Sequence, residues 1–106
     1  MDELYLAVYE QQGADQLRPL VDDCLANPSL LPEMPAEVRL AAGSGERYLP
    51  ALREKLPALD WWPDAVARAA TIARLAVPVF RDGGAVAAEK AQPVYLRDRV
   101  IQGAVR

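Results

Sequence analysis

Histidine is absent from these 106 residues, and cysteine occurs once, at position 24. Without histidine the chain offers neither the general base of a Ser-His-Asp triad nor the imidazole ligands of a zinc protease. With Cys24 alone no internal disulfide can form, which predicts a reducing, cytoplasmic setting. No apolar run reaches the roughly eighteen residues of a membrane-spanning helix, and no basic segment leads into an apolar signal-type stretch. A soluble chain with no membrane partner is the expectation. The lysine-bearing phosphate loop and the six-residue dinucleotide fingerprint are missing as well, so no cofactor is expected.

What is present reads as a globular α/β domain. Apolar residues make up 52% and charged residues 25%, near the usual values, and the length suits one domain with a real core. A disordered or fibrous chain does not fit. Charge is divided along the sequence: residues 1–60 hold eleven acidic and five basic side chains, residues 61–106 four acidic and seven basic. The net charge of −3 argues against a domain that grips nucleic acid by itself, because neutralising phosphates needs clustered Lys and Arg. The basic tail residues Lys90, Arg97, Arg99 and Arg106 either add to a basic surface supplied by partners or are simply solvated.

The hydrophobic pattern gives the elements. Leu4 to Tyr9 is a strand, with Leu4, Leu6 and Val8 on one face and Tyr5, Ala7 and Tyr9 on the other. A turn at Gln12 to Asp15 returns the chain as a second, antiparallel strand from Gln16 to Leu25. Asn27 and Pro28 are placed to open a short helix from Ser29 to Met34. Val38 to Ala42 is a third strand, followed by the turn Gly43-Ser44-Gly45 and a helix from Glu46 to Leu56. The longest helix is expected to run from Pro63 to Arg81, with Val66, Ala70, Ala73, Val77 and Phe80 on its apolar face and Asp82-Gly83-Gly84 ending it. Pro93 then turns the chain into an extended tail through Val100, where Tyr95 is expected to be buried and to tie the tail down.

Few residues carry candidate chemistry. Gly43-Ser44-Gly45 places backbone amides at a helix entrance, which suits an anion, although a plain tight turn uses the same residues. Trp61-Trp62 is either a base-stacking platform or the closure of a core end. Asp22-Asp23 has no partner ligand at metal-binding spacing and reads as a solvated strand end. Cys24, without a local base, reads as a small buried hydrophobe. No catalytic residue and no metal ligand is assigned.

Three stretches carry a family resemblance: Met1-Asp2-Glu3-Leu4-Tyr5-Leu6-Ala7-Val8-Tyr9, then Val38 to Gly45 with Tyr48, and Pro93-Val94-Tyr95-Leu96-Arg97-Asp98-Arg99-Val100. Together they resemble the second half of the TsaB (YeaZ) family, glycoprotease-like proteins that serve bacterial synthesis of threonylcarbamoyladenosine on tRNA. The resemblance runs along nearly the whole chain and is looser from Gly13 to Ala36. It implies a single α/β lobe of the actin/Hsp70-type, ribonuclease H-like ATPase fold: a mixed sheet packed by helices, here the C-terminal lobe of a protein about twice this long. Met1 would then stand at an internal methionine, and the first lobe would be absent from this chain.

The resemblance further implies a non-catalytic scaffold that works through a TsaD-like catalytic paralogue and a TsaE-like protein, touching tRNA only indirectly. Gly43 and Gly45 match the position where active relatives contact nucleotide, which makes Gly43, Ser44 and Gly45 a degenerate nucleotide site by that resemblance. The rival class is an enzyme, a glycoprotease-like peptidase or nucleotide hydrolase, which would need a base or ligands this sequence lacks. A small interaction module outside the family is the third reading. With its first lobe missing, the lobe would leave apolar area in water and self-associate, through the strand from Leu4 to Tyr9.

Overall fold

The computed structural model describes residues 3–93 together with Tyr95 and Leu96. Strands β1 (Leu4–Gln11) and β2 (Leu17–Ala26) pair in a two-stranded sheet. Their connection is too short for a crossover, so the pair is an antiparallel hairpin, and the Gln12 amide donates to the Gln16 carbonyl at 2.9 Å across its neck. Along β1, Leu4 and Val8 are buried while Tyr5 and Tyr9 are exposed, the alternation that a pleated strand with one covered face requires.

The short helix expected from Ser29 to Met34 does not form. Asn27 instead builds a turn: its Oδ1 accepts the Ser29 amide and its carbonyl the Leu30 amide, both at 2.8 Å. Pro32 biases Leu31 toward extended backbone, and Pro28, Pro32 and Pro35 donate nothing to a helical ladder, so the side chain of Asn27 wins the backbone for a turn. The chain reaches β3 (Leu40–Ala42), shorter than expected because Val38 closes a turn onto the Pro35 carbonyl at 3.2 Å.

After the glycine turn, a 3₁₀ turn (Glu46–Tyr48) leads into helix α1 (Leu49–Lys55), with Pro50 in its first turn where a missing amide costs nothing. A fourth strand that the sequence did not announce follows: β4 (Asp60–Trp62) lies parallel to β3, with Leu40, Ala41 and Ala42 opposite Asp60, Trp61 and Trp62. Parallel neighbours need a crossover, and the segment carrying α1 supplies it. The expected single mixed sheet is therefore two two-stranded sheets among the described residues, β1 with β2 and β3 with β4.

Leu4, Ala26, Leu31, Leu52, Leu56 and Leu59 make the core, and Leu52 and Leu56, four apart, put one face of the α1 region onto it. Arg53 looks the other way: its Nε donates to the Leu59 carbonyl at 2.9 Å and its Nη2 lies 3.7 Å from Asp60. The chain divides into two compact units, Met1–Glu10 with Pro19–Val66, and Gln11–Arg18 with Ala67–Arg106. The core belongs to the first.

The second unit carries helix α2 (Ala69–Arg81). It starts later than expected because Pro63 serves a turn after β4 and Arg68 is extended, so Val66 stands outside the helix and is exposed. The fixed φ of proline suits a turn as well as a first helical position. Pro78 falls within the last turns, and the stop is a glycine motif: Gly83 has φ +81, its amide reaches the Phe80 carbonyl at 3.1 Å, and the Gly84 amide reaches that of Val79 at 2.8 Å. Arg74 Nε lies 3.6 Å from Asp15 at the hairpin tip.

Among the described residues of this unit no side chain is buried. That corrects the expectation for Tyr95, which is 56% exposed, because no core exists there for its ring to enter. Leu96 is helical rather than extended, and Val94 and residues 97–100 of the tail lie outside the described residues. No described helix is long and apolar enough to cross a membrane.

Candidate functional site

The first unit holds a groove of about 820 Å³. Every residue from Glu3 to Tyr9 borders it, and so does every residue from Leu40 to Gly45. Successive strand side chains point to opposite faces, so a groove bordered by all of them runs along strand edges rather than over one face. Leu52, Leu56, Leu59 and Trp61 make its floor, and Met34 and Val38 close one flank.

Gly43, Ser44 and Gly45 come together at its rim. Gly43 has φ +120, a backbone that a side-chain-bearing residue rarely adopts, and it is glycine for that reason. Gly45 is glycine for a different one: a Cβ there would meet Leu4 Cδ1 at 2.8 Å, so the turn is pressed onto the first strand. Beside them Arg47 donates from Nη2 to the Tyr48 hydroxyl at 2.6 Å and holds its guanidinium 4.8 Å from the centre of the Tyr48 ring. Glu46 adds a carboxylate in the first turn of the same entrance.

Leu52, Leu56 and Leu59 give the groove a buried hydrocarbon lining, and Glu3, Ser44, Arg47 and the tyrosines Tyr5, Tyr9 and Tyr48 line it as well. Among the described residues no group of three or more Cys, Asp or Glu is arranged to hold a metal ion. Tyr9 has a perturbed acidity although it is 48% exposed: the partial loss of water around the phenol pushes it above the usual 10.0, and the negative charge of Asp23 and their hydrogen bond push the same way, with Asp22 adding to it.

The other residues singled out by sequence are scattered. Asp22 and Asp23 are exposed on β2, and Asp23 Oδ1 accepts the Tyr9 hydroxyl at 3.2 Å. Cys24 is half-buried with a free thiol. Trp61 reaches the groove floor whereas Trp62 is 55% exposed, so one tryptophan of the pair closes the core and the other does not. Lys90 is exposed, and Arg97, Arg99 and Arg106 lie outside the described residues. Sequence reasoning missed Met34 and Val38 at the flank and the stacking of Arg47 on Tyr48; an adjacent Arg-Tyr pair beside a glycine turn was the available signal.

The arrangement is an open groove in a small mixed α/β unit. Comparison with protein-family models, curated proteins and solved structures finds no match to the chain.

Proposed function

We propose that this chain is a non-catalytic partner in the formation of N6-threonylcarbamoyladenosine on tRNA. It acts through a TsaD-like catalytic paralogue, with a TsaE-like protein in the same assembly and tRNA contacted only indirectly. The observation that carries the reading is a meeting of two segments. Residues 3–9 and 40–45, from the two most N-terminal stretches that resemble the TsaB family, border one groove although more than thirty positions apart in sequence. A shared groove gives both stretches one role, the seating of a partner segment.

The finer fold belongs to the same proposal: one lobe of an actin/Hsp70-type, ribonuclease H-like protein, to which the β3–α1–β4 crossover and the β1–β2 hairpin contribute as two small sheets. The non-catalytic role is supported by composition, since a chain without histidine has no imidazole for metal or base.

The test is chemical. Disrupting the gene that encodes the chain and digesting total tRNA to nucleosides should show N6-threonylcarbamoyladenosine lost by mass spectrometry and restored by the intact gene. Unchanged nucleoside levels would overturn the reading. Metal-dependent peptide or nucleotide hydrolysis by the purified chain, abolished by chelation, would move it to the enzyme class.

A further inference from the structure

The groove of the first unit lies along two strand edges. It is bordered by every residue from Glu3 to Tyr9 and from Leu40 to Gly45, yet by no residue of β2 and, from β4, by Trp61 alone. It therefore follows the side of β1 away from β2 and the side of β3 away from β4. The backbone of β3 fixes which groups face it. Asp60 donates its amide to the Arg39 carbonyl at 2.8 Å, and Leu40 stands opposite Asp60. In a parallel ladder this pairing turns Arg39 and Ala41 toward β4, so the amides and carbonyls of Leu40 and Ala42 point away from it, to the groove. Each sheet has two strands, which is short of what a sheet needs for stability of its own.

We infer that the groove takes an extended segment of a protein partner, with apolar and basic side chains in alternation, as an added strand between β1 and β3. An open edge on each side calls for a strand with both of its own edges free. That excludes β1 or β3 of a second copy, since each already has a neighbour, and points to a linear segment. Alternate side chains of such a strand face opposite ways. One set meets the hydrocarbon of Leu52, Leu56, Leu59 and Trp61, which asks for apolar residues, and the other set faces out. Charge selects the outward set: the first unit holds eleven acidic and four basic residues, so its field favours lysine or arginine there. The inference rests on the partner-subunit reading for the occupant's being a protein, and peptide binding and tRNA nucleoside content can fail independently of each other.

The experiment uses the full chain and short synthetic peptides followed by fluorescence anisotropy: one alternating valine and lysine, one alternating valine and glutamate, and the lysine peptide with its backbone amides methylated. The lysine peptide should bind, more weakly as salt is raised, and the other two roughly tenfold less tightly or not at all. On binding, amide hydrogen exchange should slow at Leu40 and Ala42, while Ala41, already turned to β4, changes little. No binding of the lysine peptide, or equal affinity for the glutamate or the methylated peptide, overturns the inference. So does binding that leaves Leu40 and Ala42 exchanging as before. A concentration-dependent dimer that the lysine peptide dissociates overturns it too, because a second copy would then be the occupant.

Discussion

Gly45 presses against Leu4: a Cβ on the glycine would lie 2.8 Å from Leu4 Cδ1, inside van der Waals contact. The backbone of Gly45, at φ −89 and ψ 22, is open to any residue, so the constraint is purely steric. Gly43 is the reverse case, with φ +120 and open space around its Cα. Gly45→Ala should therefore destabilise by about 1–2 kcal/mol through overpacking, and Gly43→Ala by about 1–3 kcal/mol through backbone strain. A double-mutant cycle separates them by denaturant unfolding. In a Leu4→Ala background the Gly45→Ala cost should fall toward zero while the Gly43→Ala cost persists. Equal costs for Gly45→Ala in the two backgrounds would sink the steric account.

The end of α2 depends on two glycines in the same two ways. Gly83 takes φ +81, and a Cβ on Gly84 would meet the Val79 carbonyl oxygen at 2.9 Å. Gly84→Ala should push the chain off Val79 and break the amide bond that caps the helix, so the last turn frays. Amide hydrogen exchange at Asp82, Gly83 and Gly84 should then accelerate while Leu52 and Leu56, in the other unit, exchange as before. Unchanged protection at Gly84 would show that the cap does not hold the terminus.

Elements whose period is long enough to overcome local ambiguity were legible in the sequence. The β1–β2 hairpin, the glycine turn and the α1 region follow from alternation, Gly spacing and the Leu52/Leu56 pair. Two misreadings share one cause, the conformational neutrality of proline. Pro28 and Pro63 both suit a helix start by sequence, yet each serves a turn, because a fixed φ of about −65° fits both. The strand at Asp60–Trp62 escaped notice because three residues carry no period; only the parallel partner β3 makes them a strand. For the site, Gly43, Ser44 and Gly45 were visible by composition, but their position at a groove rim depends on β1, nearly forty residues earlier in the chain, and only tertiary packing reveals it.

Burial separates two large residues that both looked structural. Leu59 is 2% exposed in the core of the first unit, and Tyr95 is 56% exposed. Leu59→Ala should cost about 3 kcal/mol, the usual scale for emptying a core leucine site, and Tyr95→Ala should leave the melting temperature nearly where it was. Thermal melts of the two variants side by side check this. A large loss with Tyr95→Ala would mean that the ring is covered in solution.

Tyr9 and Asp23 set a pH response. Burial first, then the Asp23 charge and the hydrogen bond it accepts, raise the Tyr9 phenol above 10.0, so the folded chain holds that proton more tightly than the unfolded chain does. The associated stabilisation is fully present below pH 10.0, the unfolded value, and is lost as pH rises through the higher folded value, because there the unfolded state has already released the proton. Nuclear magnetic resonance of the Tyr9 ring should show it titrating above the ordinary tyrosine range. Asp23→Asn should bring that titration back toward 10.0 without reaching it, since the burial contribution remains. Tyr9→Phe should remove the corresponding part of the alkaline loss of stability. If Tyr9 titrates at or below 10.0, or if Asp23→Asn leaves it unmoved, the hydrogen bond across the hairpin does not persist in solution.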